Sequence, residues 1–579
     1  MNVAGTLGVG DASQLGKMDE KTLHDSMVHT APAVTGGDGK PTSLAEYLYW
    51  AEKQRAVEDA DTSQVHSKGL GQLFAKINKK QLDSTETSVD EKTEHGGIDD
   101  QLVGLTERET ELVNARRALR LAGWGACFYL ITCDILGPFS APYAISQVGW
   151  VPGVTLYTLF GAAAGLTGCM IGRLFCRLDS VRFPIRTYGD LALCIFGPAA
   201  RHFCSVLQFI QLILNCGLIC LSNGQGLSQI AKGNLCFSVC IVIWAVVGCI
   251  LGQIRGLSNF SILANSSVWL NILIIILSMA FVANSPPNFE SAIASYGATI
   301  ASGPIVTSAV VPLPVFSQVT GVFNMVFAYG GAMIFPELAA EMRRPRDFIK
   351  GMALAQIVIF VLYLVYGCVI YGLQGQYTLA LAYQGVSKYS WQTVSNVIAL
   401  ITGSIAAGLY GNIGLKVFYV NIVEELFKGP PLMSRGGRML WSVLVLAFWA
   451  LAFVIGTAIP GVGSLSGLVA AVCIFQFTYT FPPLLMLGLD LSIDAALADE
   501  PFTTPGVAPK QVDTWRQVSR WKRAILAGGT KRLIIKFLNF WFFIGALATA
   551  GLGMWASGTA VRQTLSAGAA TSFGCAASV

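Results

Sequence analysis

The sequence predicts an all-α membrane protein of eleven transmembrane helices, ten of them forming a five-plus-five inverted repeat, with the first and sixth helices discontinuous. Three observations carry that expectation: a shortage of charge over most of the chain, a series of long apolar runs, and a matched pair of glycine–proline breaks five runs apart. Of the 579 residues, 53% are hydrophobic and 13% charged, against about 25% charged in soluble globular chains. Such a chain is poorly suited to be a soluble enzyme, and no basic stripe marks it as a nucleic-acid binder. The average hides a split. Residues 1–120 hold 14 Lys/Arg against 20 Asp/Glu, whereas residues 121–579 hold 25 against 14. The division is a cytoplasmic, largely disordered acidic tail (1–115), a transmembrane domain (116–560) and a short extracellular C-terminal tail (561–579).

In chain order, residues 1–100 lack sustained apolar periodicity, and Ser84 to Asp100 is especially polar, a composition that cannot bury a core. A short helix is expected over Leu44 to Ala56. No signal peptide is expected, because Gly, Asp, Ser and Lys follow Met1 without an apolar stretch. Between Glu109 and Leu121, Arg116, Arg117 and Arg120 alternate with Leu112, Ala115 and Leu119, which suits an amphipathic helix on an anionic membrane surface. The eleven spans are then 121–148, 151–175, 202–225, 235–254, 259–283, 318–341, 349–373, 391–425, 439–458, 463–488 and 533–556. Each can cross ~30 Å of hydrocarbon as a helix, the form that satisfies its own backbone. With the N-terminus in the cytoplasm, inside connections carry 21 Lys/Arg and outside ones three, Lys232, Lys388 and Arg562, as the positive-inside rule requires.

Span 1 contains Asp134-Ile-Leu-Gly137-Pro138-Phe139-Ser140-Ala-Pro142, and span 6 contains Ala328-Tyr329-Gly330-Gly331 followed by Pro336. Proline removes a backbone donor and clashes with the preceding turn, and glycine tolerates the dihedrals of a break. Paired breaks in spans of opposite direction, five apart, are the pattern of an inverted-repeat transporter. The helix start around Gly137 to Ser140 offers N–H groups suited to a carboxylate, and the carbonyl ends suit an ammonium group. One anion pole beside one cation pole fits an α-amino acid. The alternative is a pair of kinked helices without a ligand.

Gly137 to Gly149, GPFSAPYAISQVG, resembles the first-helix motif of the amino acid/auxin permease family. Phe327 to Phe348, FAYGGAMIFPELAAEMRRPRDF, resembles its sixth helix and following loop, and RTYGDLA at Arg186 to Ala192 matches its loop between helices 2 and 3. The resemblance spans about residues 115–560. It implies the fold of the amino acid–polyamine–cation superfamily and secondary active transport of amino acids, without a cofactor. Ile135 departs from the family's usual glycine two positions before Gly137. Asp134 ahead of Gly-Pro resembles fungal neutral amino acid permeases, which implies proton rather than sodium symport at the plasma membrane, with the vacuolar membrane as alternative.

Around the breaks, the candidate substrate-binding residues are Asp134, Gly137, Phe139, Ser140, Gln208, Gln211, Tyr329, Gly330 and Gly331. Gln208, Gln211, Asn215 and Ser222 share one face of span 3, and amides in hydrocarbon need partners or a cavity. Tyr329 is placed to stack on the substrate. Asp134, Asn412 and Lys416 are the ion-coupling candidates, because intramembrane ionisable groups are costly and functional by default. In transporters of this fold helix 8, which carries Asn412 and Lys416, faces the inner half of helix 1. Glu337 and Glu341, followed by Arg343, Arg344 and Arg346, form an expected ion-paired inner gate. Trp391, Trp441 and Trp541 are expected at interfaces.

The 14 cysteines are expected as small apolar residues, with a Cys220–Cys236 bridge as a weak option. Four of five histidines lie in the tail and no metal cluster emerges. The expected partners are an amino acid substrate, the bilayer, and trafficking or ubiquitination machinery on the N-terminal tail, with no nucleic acid. The competing readings are a basic amino acid or polyamine permease (if Asp134 reads a substrate cation), a vacuolar exporter of the same fold, a channel, a transporter-like nutrient receptor, and a membrane enzyme. The last lacks any nucleophile–base pair.

Overall fold

The computed structural model describes residues 43–60, 120, 122–135, 137, 139–253, 260–296, 303–430, 432, 434–459, 461–500, 502, 510–566 and 573–576. The expected helix through Arg116 and Arg117, and the side chain of Asp134, lie outside the described residues.

Helix α1 (Leu44–Ala60) precedes the membrane body and extends the expected segment by one turn. Span 1 is two helices, α2 (Trp124–Ile135) and α3 (Ala141–Val148), separated by the Gly137–Ser140 stretch. Next come α4 (Trp150–Leu178), α5 (Tyr188–Phe196), α6 (Pro198–Ile230), α7 (Phe237–Gly252), α8 (Phe260–Ala283) and α9 (Phe289–Tyr296). Span 6 is also divided, into α10 (Val315–Ala328) and α11 (Phe335–Glu341), joined by turns through Tyr329–Gly331 and a tight turn at Ala332–Ile334. The chain continues through α12 (Phe348–Gln374), α13 (Tyr389–Phe418), α14 (Arg435–Ala458), α15 (Val462–Val469), α16 (Phe481–Ala495), α17 (Val518–Leu526) and α18 (Gly529–Ser566). Wide π turns extend α13 over Tyr419–Leu426 and join α15 to α16 over Ala470–Ile474 and Gln476–Thr480.

Nine spans of the described residues are long and apolar enough to cross a membrane. Of the eleven expected, the two outside that number are the divided α2/α3 and the 16-residue α7. A break shortens each half, so span 1 cannot read as one continuous apolar helix.

Helix α6 runs through the middle, packed on α13, α14, α7 and α5. Helix α12 packs on α2, α3 and α4, and α10 on α3, α15 and α18. Gly149 (φ 98°) turns the chain from α3 into α4, a conformation that favours glycine. There Trp150 and Val151 donate to the Ser308 and Ala309 carbonyls at 3.1 and 3.0 Å, fastening the approach to span 6 onto the end of span 1. Before α5, the Thr187 hydroxyl accepts from the Asp190 N–H and the Asp190 carboxylate accepts from the Thr187 N–H. RTYGDLA is thus a capping box.

The cysteine expectation needs correction. Cys236 is joined to Cys575, and Cys220 is free and buried inside α6. The C-terminal tail returns to the start of α7, where Phe237 N–H donates to the Cys575 carbonyl at 3.1 Å and Ser238 Oγ to the Gly574 carbonyl at 2.7 Å. A partner 339 residues away leaves no spacing signal. Trp441 is buried within the protein, its indole N–H donating to the Gly252 carbonyl.

Candidate functional site

Both breaks open onto one cavity of about 160 Å3, lined by Gly137, Phe139 and Ser140 from span 1 and by Phe327 and Gly330 from span 6. Helix α3 starts at Ala141 with proline in its first turn, so its N–H end follows directly on Ser140. Helix α10 ends at Ala328, with Phe327 O accepting from Gly330 N–H at 3.2 Å. Gly137 N–H donates to the Tyr363 hydroxyl of α12 at 3.1 Å, which holds the first break open.

The facing wall comes from α6 (Asn215, Ser222, Asn223), α8 (Ser267, Asn271), α13 (Thr402, Tyr410) and α15 (Ser466). Among the described residues lining it there is no Asp, Glu, Lys, Arg or His. Asn215 Oδ1 and Ser140 Oγ are buried at this wall without a hydrogen-bond partner among the described residues, and buried polar atoms are ordinarily partnered. They are positioned for a polar ligand. Ser466 Oγ donates to Asn324 Oδ1 at 2.6 Å, and Asn324 Nδ2 donates to the Gly463 carbonyl at 3.1 Å, stitching α10 to α15 beside the site.

On one side Leu381 and Tyr383 cover the cavity. The Tyr383 ring meets Phe139 edge-on at 5.1 Å, and Ala382 N–H donates to the Phe139 carbonyl. Amide side chains hold this segment down. Gln374 donates to the Gly385 carbonyl at 2.9 Å and Gln392 to the Gln384 carbonyl at 2.8 Å. Sequence reasoning missed it, since an isolated tyrosine in a loop carries no periodic signal. Asn223, Ser267, Asn271 and Thr402 were missed too, although polar residues in apolar helices are a usable signal.

At the other end Gln208 Nε2 donates to Glu337 Oε1 at 3.0 Å. Ala122 N–H donates to the Glu341 carbonyl and Arg343 N–H to the Ala122 carbonyl, joining the start of α2 to the end of α11. This closure includes amide–carboxylate and backbone pairing. Arg346, expected beside Glu337 and Glu341, pairs with Asp59 of α1. Asp179 at the end of α4 accepts from Arg55 (3.0 Å) and Arg120 (2.9 Å), so α1 is clamped to the body. Burial pushes the Glu58 carboxyl above its ordinary value against the pull of Arg55.

Other expected site residues lie elsewhere. Tyr329 points away from the cavity, its hydroxyl donating to the Tyr157 carbonyl at 3.1 Å, and Gly331 N–H is taken by the Tyr329 carbonyl. Gln211 is fully buried in α6 without lining the cavity. Asn412 is buried in α13 and Lys416 is half-buried one turn on, neither at the cavity wall. The first half of span 1 (α2) packs chiefly on α12 and α8.

Apolar membrane-length helices, two of them interrupted beside one polar cavity, define a multi-pass membrane transporter. Residues 122–490 match the transmembrane amino acid transporter protein family, and the chain belongs to it. It is an amino acid transporter and not an enzyme. The N amino acid transport system protein of Neurospora crassa is 25% identical over 394 residues, 66% of this chain and 79% of that protein. Amino acid transporter AVT1D of Arabidopsis thaliana is 24% identical over 361 residues, 61% of each chain. A transmembrane transporter of Gibberella moniliformis is 26% identical over 166 residues, 28% of this chain and 34% of that protein.

Proposed function

We propose that the chain is a secondary active transporter that imports neutral amino acids, aliphatic or aromatic, by proton symport across the plasma membrane. The observation that carries this reading is the opening of both helix breaks onto one polar cavity whose described lining is uncharged. The α-carboxylate faces the N–H start of α3, and the ammonium group faces the carbonyl ends of α10 and α2. Asn215 and Ser140 complete the hydrogen bonding, while Phe139, Leu218 and Ile474 of the lining accept the side chain.

Spans 1–5 and 6–10 act as inverted repeats, with α18 outside them. Both the Tyr383–Phe139 contact and the Gln208–Glu337 bond are closed in this structure, and alternating access opens one and then the other. Asp134 and Lys416 carry the coupled proton, since each is an ionisable group within a span. The N-terminus lies in the cytoplasm, which puts the basic connections inside and the Cys236–Cys575 bridge outside.

Proteoliposome uptake under an imposed pH gradient, across a panel of neutral, basic and acidic amino acids, tests the reading. Saturable, gradient-driven accumulation of neutral amino acids is expected. Linear flux would identify a channel, binding without flux a receptor, and preference for arginine or a polyamine would overturn the substrate class.

A further inference from the structure

Helix α17, between α16 and α18, wears its polarity inside out. Its arginines face the protein. Arg520 is 4% exposed and grips Asp499 (3.0 Å) and Asp513 (3.2 Å), and Arg523 reaches Asp513 at 2.5 Å and the Ala495 carbonyl at 2.8 Å. Below them the buried Lys536 of α18 donates to the Ala524 carbonyl and pairs with Asp494, both at 2.5 Å. The opposite face carries Val518, Trp521, Ile525 and Leu526, exposed by 81, 47, 44 and 55%, with Lys522 among them and Ser519 at its edge. A helix resting on a protein in water buries its apolar stripe and exposes its charges. This one does the reverse, so its outer surroundings are not water.

Two further features say what those surroundings are. The apolar face continues into exposed Ile534, Phe537 and Leu538 of α18, a helix of membrane length, so it joins the lipid-facing surface. Beside it Trp515 and Trp521 form an edge-on pair at 5.0 Å, fixed by a 2.8 Å bond from the Trp521 indole N–H to the Trp515 carbonyl. Tryptophan in that position is the mark of a headgroup layer. Lys510, Arg516, Lys522 and Lys531 lie close to the pair along the chain, exposed and without an ion pair among the described residues.

We propose that α17 is an interfacial helix whose apolar face enters the acyl boundary and whose flanking cations bind the phosphates of anionic lipids in that leaflet. Asp494, Asp499 and Asp513 are consumed by Arg520, Arg523, Arg532 and Lys536, which leaves exposed Glu500, its N–H on the Lys510 carbonyl, as the one acid beside four exposed cations among the described residues of 494–531. The outer cations are thereby left to the membrane. Attraction of a basic cluster to anionic lipid adds to apolar burial and is weakened by salt.

The test uses the full-length protein in vesicles of phosphatidylcholine alone or mixed with phosphatidylserine, each with a trace of the same lipid carrying a photoreactive headgroup. Crosslinks are mapped by mass spectrometry. Peptides from 510–531 should be labelled several-fold more from the serine lipid. Lys522→Glu with Lys531→Glu, which leaves the arginine–aspartate clamp intact, should lower that labelling roughly tenfold. Equal labelling from both lipids, absence of labelling, or loss of labelling to competing inorganic phosphate overturns the proposal. So does a co-purifying protein covering Trp521.

Discussion

Asn215 is a polar side chain in the middle of a long apolar helix, it lines the cavity, and its buried Oδ1 has no partner among the described residues. If it bonds substrate, Asn215→Leu should raise the KM for uptake about tenfold at unchanged surface expression, matching one lost hydrogen bond of about 1 kcal/mol or somewhat more. An unchanged KM would remove Asn215 from the site. Span 3 was partly legible. Its shared polar face was apparent, but the structure divides it, sending Gln208 to Glu337 and Asn215 with Ser222 to the cavity. A face has a length as well as a direction, and sequence spacing fixes only the direction. Tyr329 was misplaced for a related reason. Helical periodicity stops at a break, so nothing in the spacing says which way a residue at the break turns. Lys416 is a second test at this scale. It is half-buried and has no ion pair among the described residues, so Lys416→Met should abolish the response of uptake to an imposed pH gradient. A retained response excludes it from coupling.

At the level of elements, the crossing of α6 and α14 depends on glycine. A Cβ on Gly456 would fall 2.7 Å from the Gly217 carbonyl oxygen, so Gly456→Leu must push the helices apart. The expected cost is about 1–3 kcal/mol, read as a lower melting temperature of the detergent-purified protein. Helix α1 offers a different lever. Asp179 is fully buried and holds both Arg55 and Arg120, so Asp179→Ala leaves Arg120 without that carboxylate and Arg55 with Glu58 (2.9 Å), a loss toward the lower end of about 3–5 kcal/mol. Protease cleavage around α1 should accelerate sharply in that variant. Glu58 adds a pH dependence of known sign. Its carboxyl is raised in the docked state by burial, so docking is favoured when it is protonated. That contribution is complete below the ordinary value of 4.5 and is lost as pH rises through the raised value. Proteolysis of α1 should therefore quicken with rising pH across that interval in the wild type and not in Glu58→Gln. The sequence foretold the helix but not its docking, because Tyr47 and Trp50 find their partners, Phe183 and Arg182, far along the chain.

For the whole molecule, the two breaks were legible because glycine and proline act on their own backbone, and that local chemistry survives any tertiary context. Their convergence on one cavity was legible only as a pairing of like features five spans apart. What sequence could not supply was closure. The Tyr383 segment over Phe139 and the return of the C-terminal tail to α7 both join residues hundreds of positions apart, where periodicity is silent. The returning tail also carries a test of orientation. A bridge between Cys236 and Cys575 is expected to persist only on an oxidising side of the membrane, and the surplus of Lys and Arg lies on connections assigned to the opposite side. The proposed orientation has the start of α7 outside and α1 inside. On intact cells, a membrane-impermeant reductant followed by an impermeant maleimide should label Cys236 and Cys575. Without the reductant both should stay unlabelled, and a protease tag placed at the N-terminus should be cut only after permeabilisation. Labelling of both cysteines without reduction would show that the bridge is absent in the cell. Cleavage of the tag on intact cells would invert the molecule, and with it the assignment of Gln208 and Glu337 to the cytoplasmic closure.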